Sequence, residues 1–300
     1  MENQLRIGFI GFGEAAFHLS KGLRAAGVDH IFAYDLHAST SGKGDLIRMR
    51  AVDAGVALQD SNAELARQSE IVFSTVTANQ ASAAAQQTAP WLEKRHVYAD
   101  LNSVSPPSKQ AIARIIEASG AQFVEVAVMA PVPPYSHKVP MLAGGPHSQA
   151  FAGLLRPFGT NIEVGDREIG VAAATKMCRS IMIKGLEALL TECVLGATKY
   201  HADERVFKSL GETFPGIDWP KLATYMVGRV VVHGERRARE MEEVVESLRA
   251  VGVDPFMAQA TAERMDWSAR RGLKQHFDAK DPASYQEFAE VVAEMAANCA

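Results

Sequence analysis

Two groups of residues in this chain have the types and spacing to do chemistry together. The first is Gly11-Phe12-Gly13-Glu14-Ala15-Ala16, which follows the apolar run Ile7-Gly8-Phe9-Ile10 and precedes a helix-like stretch from Phe17 to Ala26. This is G-x-G-x-x-A between a strand and a helix, the setting in which a backbone can wrap a pyrophosphate. Gly11 permits the tight turn, Gly13 lets the chain approach the phosphates, and Ala16 keeps helix and strand close. Unpaired N–H groups and the helix dipole favour the negative charge there. A second apolar segment, His30-Ile31-Phe32-Ala33-Tyr34, ends in Asp35, placed to accept both ribose hydroxyls and to repel a 2′-phosphate. Asp35 thus favours NAD over NADP. His37, Ser39, Thr40, Ser41 and Lys43, just beyond it, could nevertheless hold a phosphate.

The second group centres on Lys176, in Gly170-Val171-Ala172-Ala173-Ala174-Thr175-Lys176-Met177-Cys178-Arg179-Ser180. Oxidation of an alcohol by a nicotinamide needs a base for the hydroxyl proton as hydride leaves carbon. Lysine serves only when its pKa falls toward neutrality, through burial or a nearby cation. Lys176 follows the uncharged run Val171–Thr175 and has Arg179 one turn further on, and both features favour the neutral amine. The competing reading is a helix lysine whose stem packs while its head stays in water.

The elements that must position these groups follow from the hydrophobic pattern. After Asp35 the chain alternates strand-like and helix-like segments: a helix near 45–54, strand-like Val56-Ala57-Leu58, and a short helix from Ser61. Ile71–Val76 is a buried strand that delivers Thr75, Val76 and Thr77 to its C-terminal end, where cofactors sit in open parallel sheets. A small-residue helix (80–91), a strand (97–100), a helix (106–119) and a strand (122–128) follow. Met141–Gly145 and Asn161–Val164 close the series. Such alternation predicts an α/β class: a doubly wound, mostly parallel Rossmann sheet. After Gly165 strands largely vanish. Long helical patterns run over 169–200, 221–250, 255–271 and 282–298, with a loop around Trp219 bracketed by Pro215 and Pro220. The expected organisation is a nucleotide domain over 1–164 and an all-helical domain over 165–300.

Composition sets the class. The 300 residues are 47% hydrophobic and 22% charged with a net charge of −4, as in ordinary globular proteins, and no basic excess points to nucleic acid or a membrane surface. Cys178, Cys193 and Cys299 are odd in number and lack CxxC spacing, which points to a reducing compartment, without disulfides or a zinc site. Met1-Glu2-Asn3-Gln4 lacks the basic region of a signal peptide, and no apolar run is long enough for a membrane span, so the expectation is a cytoplasmic protein. HExxH, GxSxG and P-loop patterns are absent.

Several further segments match a known order. Asp100-Leu101-Asn102-Ser103-Val104-Ser105-Pro106 is similar to a D-x-S-T-x-x-P loop. Glu125-Val126-Ala127-Val128-Met129-Ala130-Pro131, with the later Met141-Leu142-Ala143-Gly144-Gly145, is similar to a substrate strand and its glycine turn. Arg239-Glu240-Met241, thirteen residues before Gly252, stands where a K-D-L stretch would be. Together with the helix start at Gly170, these segments resemble the β-hydroxyacid dehydrogenase family, which includes 3-hydroxyisobutyrate, tartronate-semialdehyde and 6-phosphogluconate dehydrogenases. The resemblance implies that Lys176 is the catalytic lysine and that Asn102 and Ser103 contact substrate or nicotinamide. It further implies substrate contacts from Met129, Ala130, Pro131, Arg179, Ser180 and Arg239, a small acidic substrate and a homodimer built through the helical domain. Arg179 suits either a carboxylate fork or a structural ion pair.

The departures are informative. Arg179 and Ser180 stand where the family has Asn or His. The family's Ser-Gly-Gly carboxylate cradle is Met129-Ala130-Pro131, which has no hydroxyl and, at Pro131, no N–H. Val132-Pro133-Pro134-Tyr135 reads as a stiff, extended continuation, with His137 and Lys138 on a solvated loop. On one helix face His233, Arg236, Arg237 and Glu240 recur at i, i+3, i+4 and i+7, as a solvated stripe or a site for an acidic group. The rival readings are an imine-type reductase, which Lys176 opposes, and a nucleotide-binding sensor without turnover.

Overall fold

The computed structural model describes residues 5–297, so Met1–Gln4, Cys299 and the expected last helical residue, Asn298, lie outside the described residues. The chain forms two compact units that divide between Lys176 and Met177.

The first unit is built on strands β1 (Arg6–Ile10), β2 (His30–Tyr34), β3 (Ala57–Leu58), β4 (Ile71–Ser74), β5 (Val97–Asp100), β6 (Gln122–Val128), β7 (Met141–Gly144) and β8 (Ile162–Val164). Its helices are α1 (Glu14–Ala25), α2 (Lys43–Ala54), α3 (Asn62–Gln68), α4 (Ala81–Thr88), α5 (Pro106–Glu117) and α6 (Ser148–Leu155). The strands form one sheet in the order β3-β2-β1-β4-β5-β6-β7-β8. Every pairing is parallel except β6 with β7. The order reverses direction between β1 and β4, which opens the crevice where ligands bind such sheets. Alternate residues serve opposite faces. Ile7, Phe9, Ile71, Phe73, Val97, Ala99, Val124 and Val126 fill one layer, while Ile10, Val72, Tyr98 and Phe123 fill the other.

α7 (Val171–Lys199) begins in the first unit and continues into the second. The division therefore falls later than the expected 164/165 boundary, because the first turn of α7 is fastened to β6, as described below. The second unit is helical: α8 (Asp203–Thr213), α9 (Trp219–Arg249), α10 (Phe256–Arg270), α11 (Leu273–His276) and α12 (Tyr285–Ala297). Trp219, expected in a loop, is the buried first residue of α9, whose start is capped by Asp218 Oδ1 accepting from Lys221 N. The polar stripe on α9 divides. Arg236 is exposed and pairs with Glu240, whereas Arg237 is buried and grips both carboxylate oxygens of Glu187 on α7 with Nε and Nη2. Arg229 also reaches Glu187, at 3.3 Å, and Lys184 pairs with Glu240 at 2.8 Å. Arg237 thus neutralises a buried carboxylate, a structural duty. No helix among the described residues is long and apolar enough to cross a membrane.

Candidate active site

The glycine loop leaves β1 at the crevice. Gly11 has φ +80, a conformation glycine adopts freely, and its N–H donates to Tyr34 O at 2.9 Å. A Cβ on Gly11 would lie 2.8 Å from Val76 Cγ1 and 2.9 Å from the Thr75 carbonyl oxygen. Thr75 turns its hydroxyl back into the loop, donating to Gly11 O at 2.7 Å, and Thr77 Oγ donates to Asn79 Oδ1. Thr75 and Val76 therefore brace the glycine loop from the end of β4. Phe12 buries its ring against Phe9, so only its backbone faces the loop.

Beyond that turn the loop opens. Gly13 is the N-cap of α1 with no side-chain cap, and a Cβ there would meet nothing within 4 Å. Glu14 is exposed, Ala15 half-buried, and Ala16 fully buried where α1 crosses the sheet. An uncapped helix start beside open space fits a pyrophosphate. Asp35 sits at the end of β2 with one carboxylate oxygen accepting from Phe12 N at 2.7 Å and the other from His37 N at 2.8 Å. These bonds fix the carboxylate at the crevice rim and leave lone pairs for ribose hydroxyls.

The lysine group assembles at the same, C-terminal edge of the sheet. The chain leaving β5 carries Asn102 and Ser103, and Lys176 Nζ donates to Ser103 Oγ at 2.6 Å. Asn102 is buried. Its backbone N–H donates to Asp100 Oδ1 at 2.9 Å, its side-chain nitrogen to Ser74 Oγ at 2.8 Å, and its Oδ1 has no hydrogen-bond partner. Asp100 is in turn held by Lys109 of α5, whose ammonium donates to the Asp100 carbonyl at 2.7 Å and lies 3.3 Å from Oδ2. Burial and the Asp100 charge push the neighbouring Tyr98 hydroxyl far up, so it stays protonated. The expected residues Asn102, Ser103 and Lys176 are thus brought together. Asp100, Lys109 and Ser74, which hold them, carried no role in the sequence reading.

The other expected substrate residues are placed differently. Met129, Ala130 and Pro131 follow β6 at the same edge, with Met129 N already committed to Pro140 O at 2.8 Å. The segment after them is not extended. Tyr135 N and Ser136 N both fold back onto Val132 O, and Pro133, at the second position of this turn, holds a φ suited to it. His137, expected on a solvated loop, is buried beneath α1, and Ser136 Oγ donates to His18 O at 2.7 Å. Arg179 and Ser180 lie on α7 within the second unit, Arg179 exposed. Arg239 is exposed and engaged with Glu242 and Asp266. No group of three or more His, Cys, Asp or Glu side chains among the described residues could hold a metal ion.

Burial lowers the His137 pKa below its ordinary 6.5, and Lys138 adds to the shift. His233 moves the same way, through burial and then Arg236, Arg229 and Arg237. The unfolded chain therefore binds more protons than the folded one as pH falls through 6.5. Stability is complete above that pH and is lost as pH drops toward the folded pKa values. Thermal unfolding followed from about pH 7.5 to 5 should show a falling midpoint, and His137→Leu should flatten part of the fall. A midpoint with the same slope in the variant would contradict the assignment to His137.

Known proteins share this fold. Residues 6–102 match the family described as NADP oxidoreductase, coenzyme F420-dependent, and residues 197–268 match a domain of unknown function, DUF1932. A conserved hypothetical protein from Sinorhizobium meliloti 1021 is 37% identical, with 98% of this chain and 97% of that one covered and a TM-score of 0.79. A conserved protein of unknown function, reported as structurally similar to 3-hydroxyacid dehydrogenases, is 31% identical over 92% of this chain and 99% of its own, with a TM-score of 0.74. The 3-hydroxyisobutyrate dehydrogenase of Mycobacterium tuberculosis shares the fold at 16% identity, covering 96% of this chain and 99% of that one with a TM-score of 0.72. The fold and the crevice define an NAD(P)-binding oxidoreductase architecture of the 3-hydroxyacid dehydrogenase type. Within that class, the chain belongs to the same family as the two relatives of unknown function, one of which is reported as structurally similar to 3-hydroxyacid dehydrogenases.

Proposed function

We propose that this protein transfers a hydride between a nicotinamide cofactor and a small 3-hydroxy acid or sugar-derived acid, with Lys176 as the general acid/base. The observation that carries this reading is the Lys176–Ser103 hydrogen bond at the C-terminal edge of the sheet, on the side where the glycine loop opens. Gly11 through Ala16 would hold the pyrophosphate and Asp35 the adenosine ribose. The carboxylate of Asp35 favours NAD, because a 2′-phosphate would meet its charge.

The bound nicotinamide supplies the hydride acceptor or donor, and the remaining work falls to side chains. In oxidation the neutral Lys176 amine takes the substrate hydroxyl proton, and in reduction the ammonium returns it. Ser103 fixes the amine by accepting one of its hydrogens, and its own hydroxyl hydrogen can then be donated to the substrate oxygen. Asn102, locked by Asp100 and Ser74, supports the loop that carries Ser103. The substrate acid would be held away from Met129-Ala130-Pro131, whose hydroxyl and Pro131 N–H are missing, and Arg179 is the nearest cation in sequence to Lys176 able to form a fork. A homodimer through the helical unit belongs to the same reading, supported by the exposed Met182, Leu189 and Tyr225.

The test is a screen of small 3-hydroxy acids and aldonates with NAD and NADP, followed by the absorbance of the reduced nicotinamide. The expected result is turnover with at least one acid and a preference for NAD. Tight cofactor binding without turnover on any acid or imine would favour the sensor reading.

A further inference from the structure

We propose that Glu125 is a positioning residue for Lys176: its buried carboxylate fastens the first turn of α7 to the sheet and thereby sets the Lys176–Ser103 contact. The role rests on the reading of Lys176 as the acid/base.

Glu125 lies in the middle of β6, a strand whose neighbours Phe123, Val124, Val126 and Ala127 are all buried, and it is itself fully buried. A carboxylate in such surroundings is tolerated only when its oxygens are saturated with donors. The donors are the backbone N–H groups that open α7. Oε1 accepts from Gly170 N at 2.7 Å and Ala172 N at 3.1 Å, and Oε2 accepts from Ala173 N at 3.3 Å. These are the orphan donors of a helix start, and the positive end of its dipole faces the charge.

The surroundings are shaped to this contact. Gly144 stands opposite Glu125 in the β6–β7 register, and a Cβ there would lie 2.6 Å from Glu125 Oε1. Gly170 donates from φ +110, which a side chain would strain. Lys176 follows the last fastened residue, Ala173, by three positions, so one rigid turn carries the clamp to the amine. The acceptor is tied to the same place from the other side. Asp100 is the register partner of Glu125 on β5, and the chain runs from it through Leu101 and Asn102 to Ser103. Two buried carboxylates on adjacent strands thus hold the two ends of one hydrogen bond, Asp100 through Lys109 and the Asn102 backbone, Glu125 through α7. A cap that served stability alone would have no bearing on that geometry.

The test uses Glu125→Gln, nearly isosteric, which turns one acceptor into a donor facing Ala173 N–H. Ser61→Ala, which removes the cap of α3, is the control for loss of a helix cap elsewhere. Hydrogen exchange at Gly170–Ala173 should speed up by about tenfold or more in the Gln variant, as expected when a local opening becomes easier. Acylation of Lys176, read by peptide mass, should also rise as the amine leaves Ser103, with neither change in Ser61→Ala. Both readouts need no substrate, so they test the clamp even if no hydroxy acid is turned over. Where turnover is found, Glu125→Gln should lower kcat at unchanged NADH affinity, and the loss should vanish in a Lys176→Ala background, since both changes then act on one function. Glu125→Asp, which keeps the charge with a shorter reach, should give intermediate values and serves if the Gln variant fails to fold. Unchanged exchange and labelling, or losses that multiply in the double variant, would overturn the proposal.

Discussion

Replacing Lys176 with alanine is expected to lower turnover by about 10²–10⁴-fold, the range that a positioned acid/base supplies. The same variant should bind reduced cofactor as the wild type does. The geometry of the site explains why the two effects separate. Lys176 reaches Ser103 on the loop after β5, whereas the glycine loop is braced by Tyr34, Thr75, Val76 and Asp35 without it. Alanine continues a helix well, and the Glu125 clamp on residues 170–173 remains in place. Stopped assays with the best hydroxy acid, set beside cofactor titration of both proteins, give the comparison. Retained kcat in Lys176→Ala would remove the lysine from the chemistry.

The second large effect separates two glycines that lie two positions apart. Gly11→Ala should destabilise the first unit and abolish cofactor binding together. The left-handed φ costs roughly 1–2 kcal/mol for an alanine, and a Cβ pressed to 2.9 Å from a backbone oxygen adds overpacking of about 1–3 kcal/mol. Gly13→Ala should do something different. Its φ of −78 suits any residue and its Cβ would meet no protein atom within 4 Å, so the melting midpoint should stay where it is. The methyl group would instead occupy the space a pyrophosphate needs, and affinity for the dinucleotide should fall by at least about tenfold, or ~1.4 kcal/mol. Melting curves and fluorescence titrations of the two variants side by side provide the check. Equal melting losses in both, or wild-type binding by Gly13→Ala, would mean that the open space is not a phosphate site.

Much of this architecture is legible in the sequence because local rules dominate it. G-x-G-x-x-A after an apolar strand, Asp35 at the end of the next, and the loss of strand patterning after Gly165 each depend on residues close together in the chain. The parallel sheet follows from the alternation itself. What escapes is tertiary. α8 (Asp203–Thr213) is short, rich in charge and has one buried apolar residue, Phe207, so its composition between Tyr200 and Pro215 resembles that of a polar loop. His137 looks like part of a polar loop until the turn at Pro133-Pro134 folds it under α1. Glu125 meets α7 across 45 residues, a pairing that no spacing rule announces. One clue was present: Lys109 shares its helix face with Ile112, Ala113 and Ile116 at i, i+3, i+4 and i+7. A lysine at a core position of an amphipathic helix demands a buried anion, and Asp100 is that anion.

The most direct measurement is a fluorescence titration of the wild type and Gly13→Ala with NADH and NADPH. Saturable binding by the wild type, tighter for NADH than for NADPH, with the loss of both in a normally folded Gly13→Ala, is the result predicted from the glycine loop and Asp35. Failure of the wild type to bind either dinucleotide would contradict the assignment of the crevice as a cofactor site, and with it the role of Lys176.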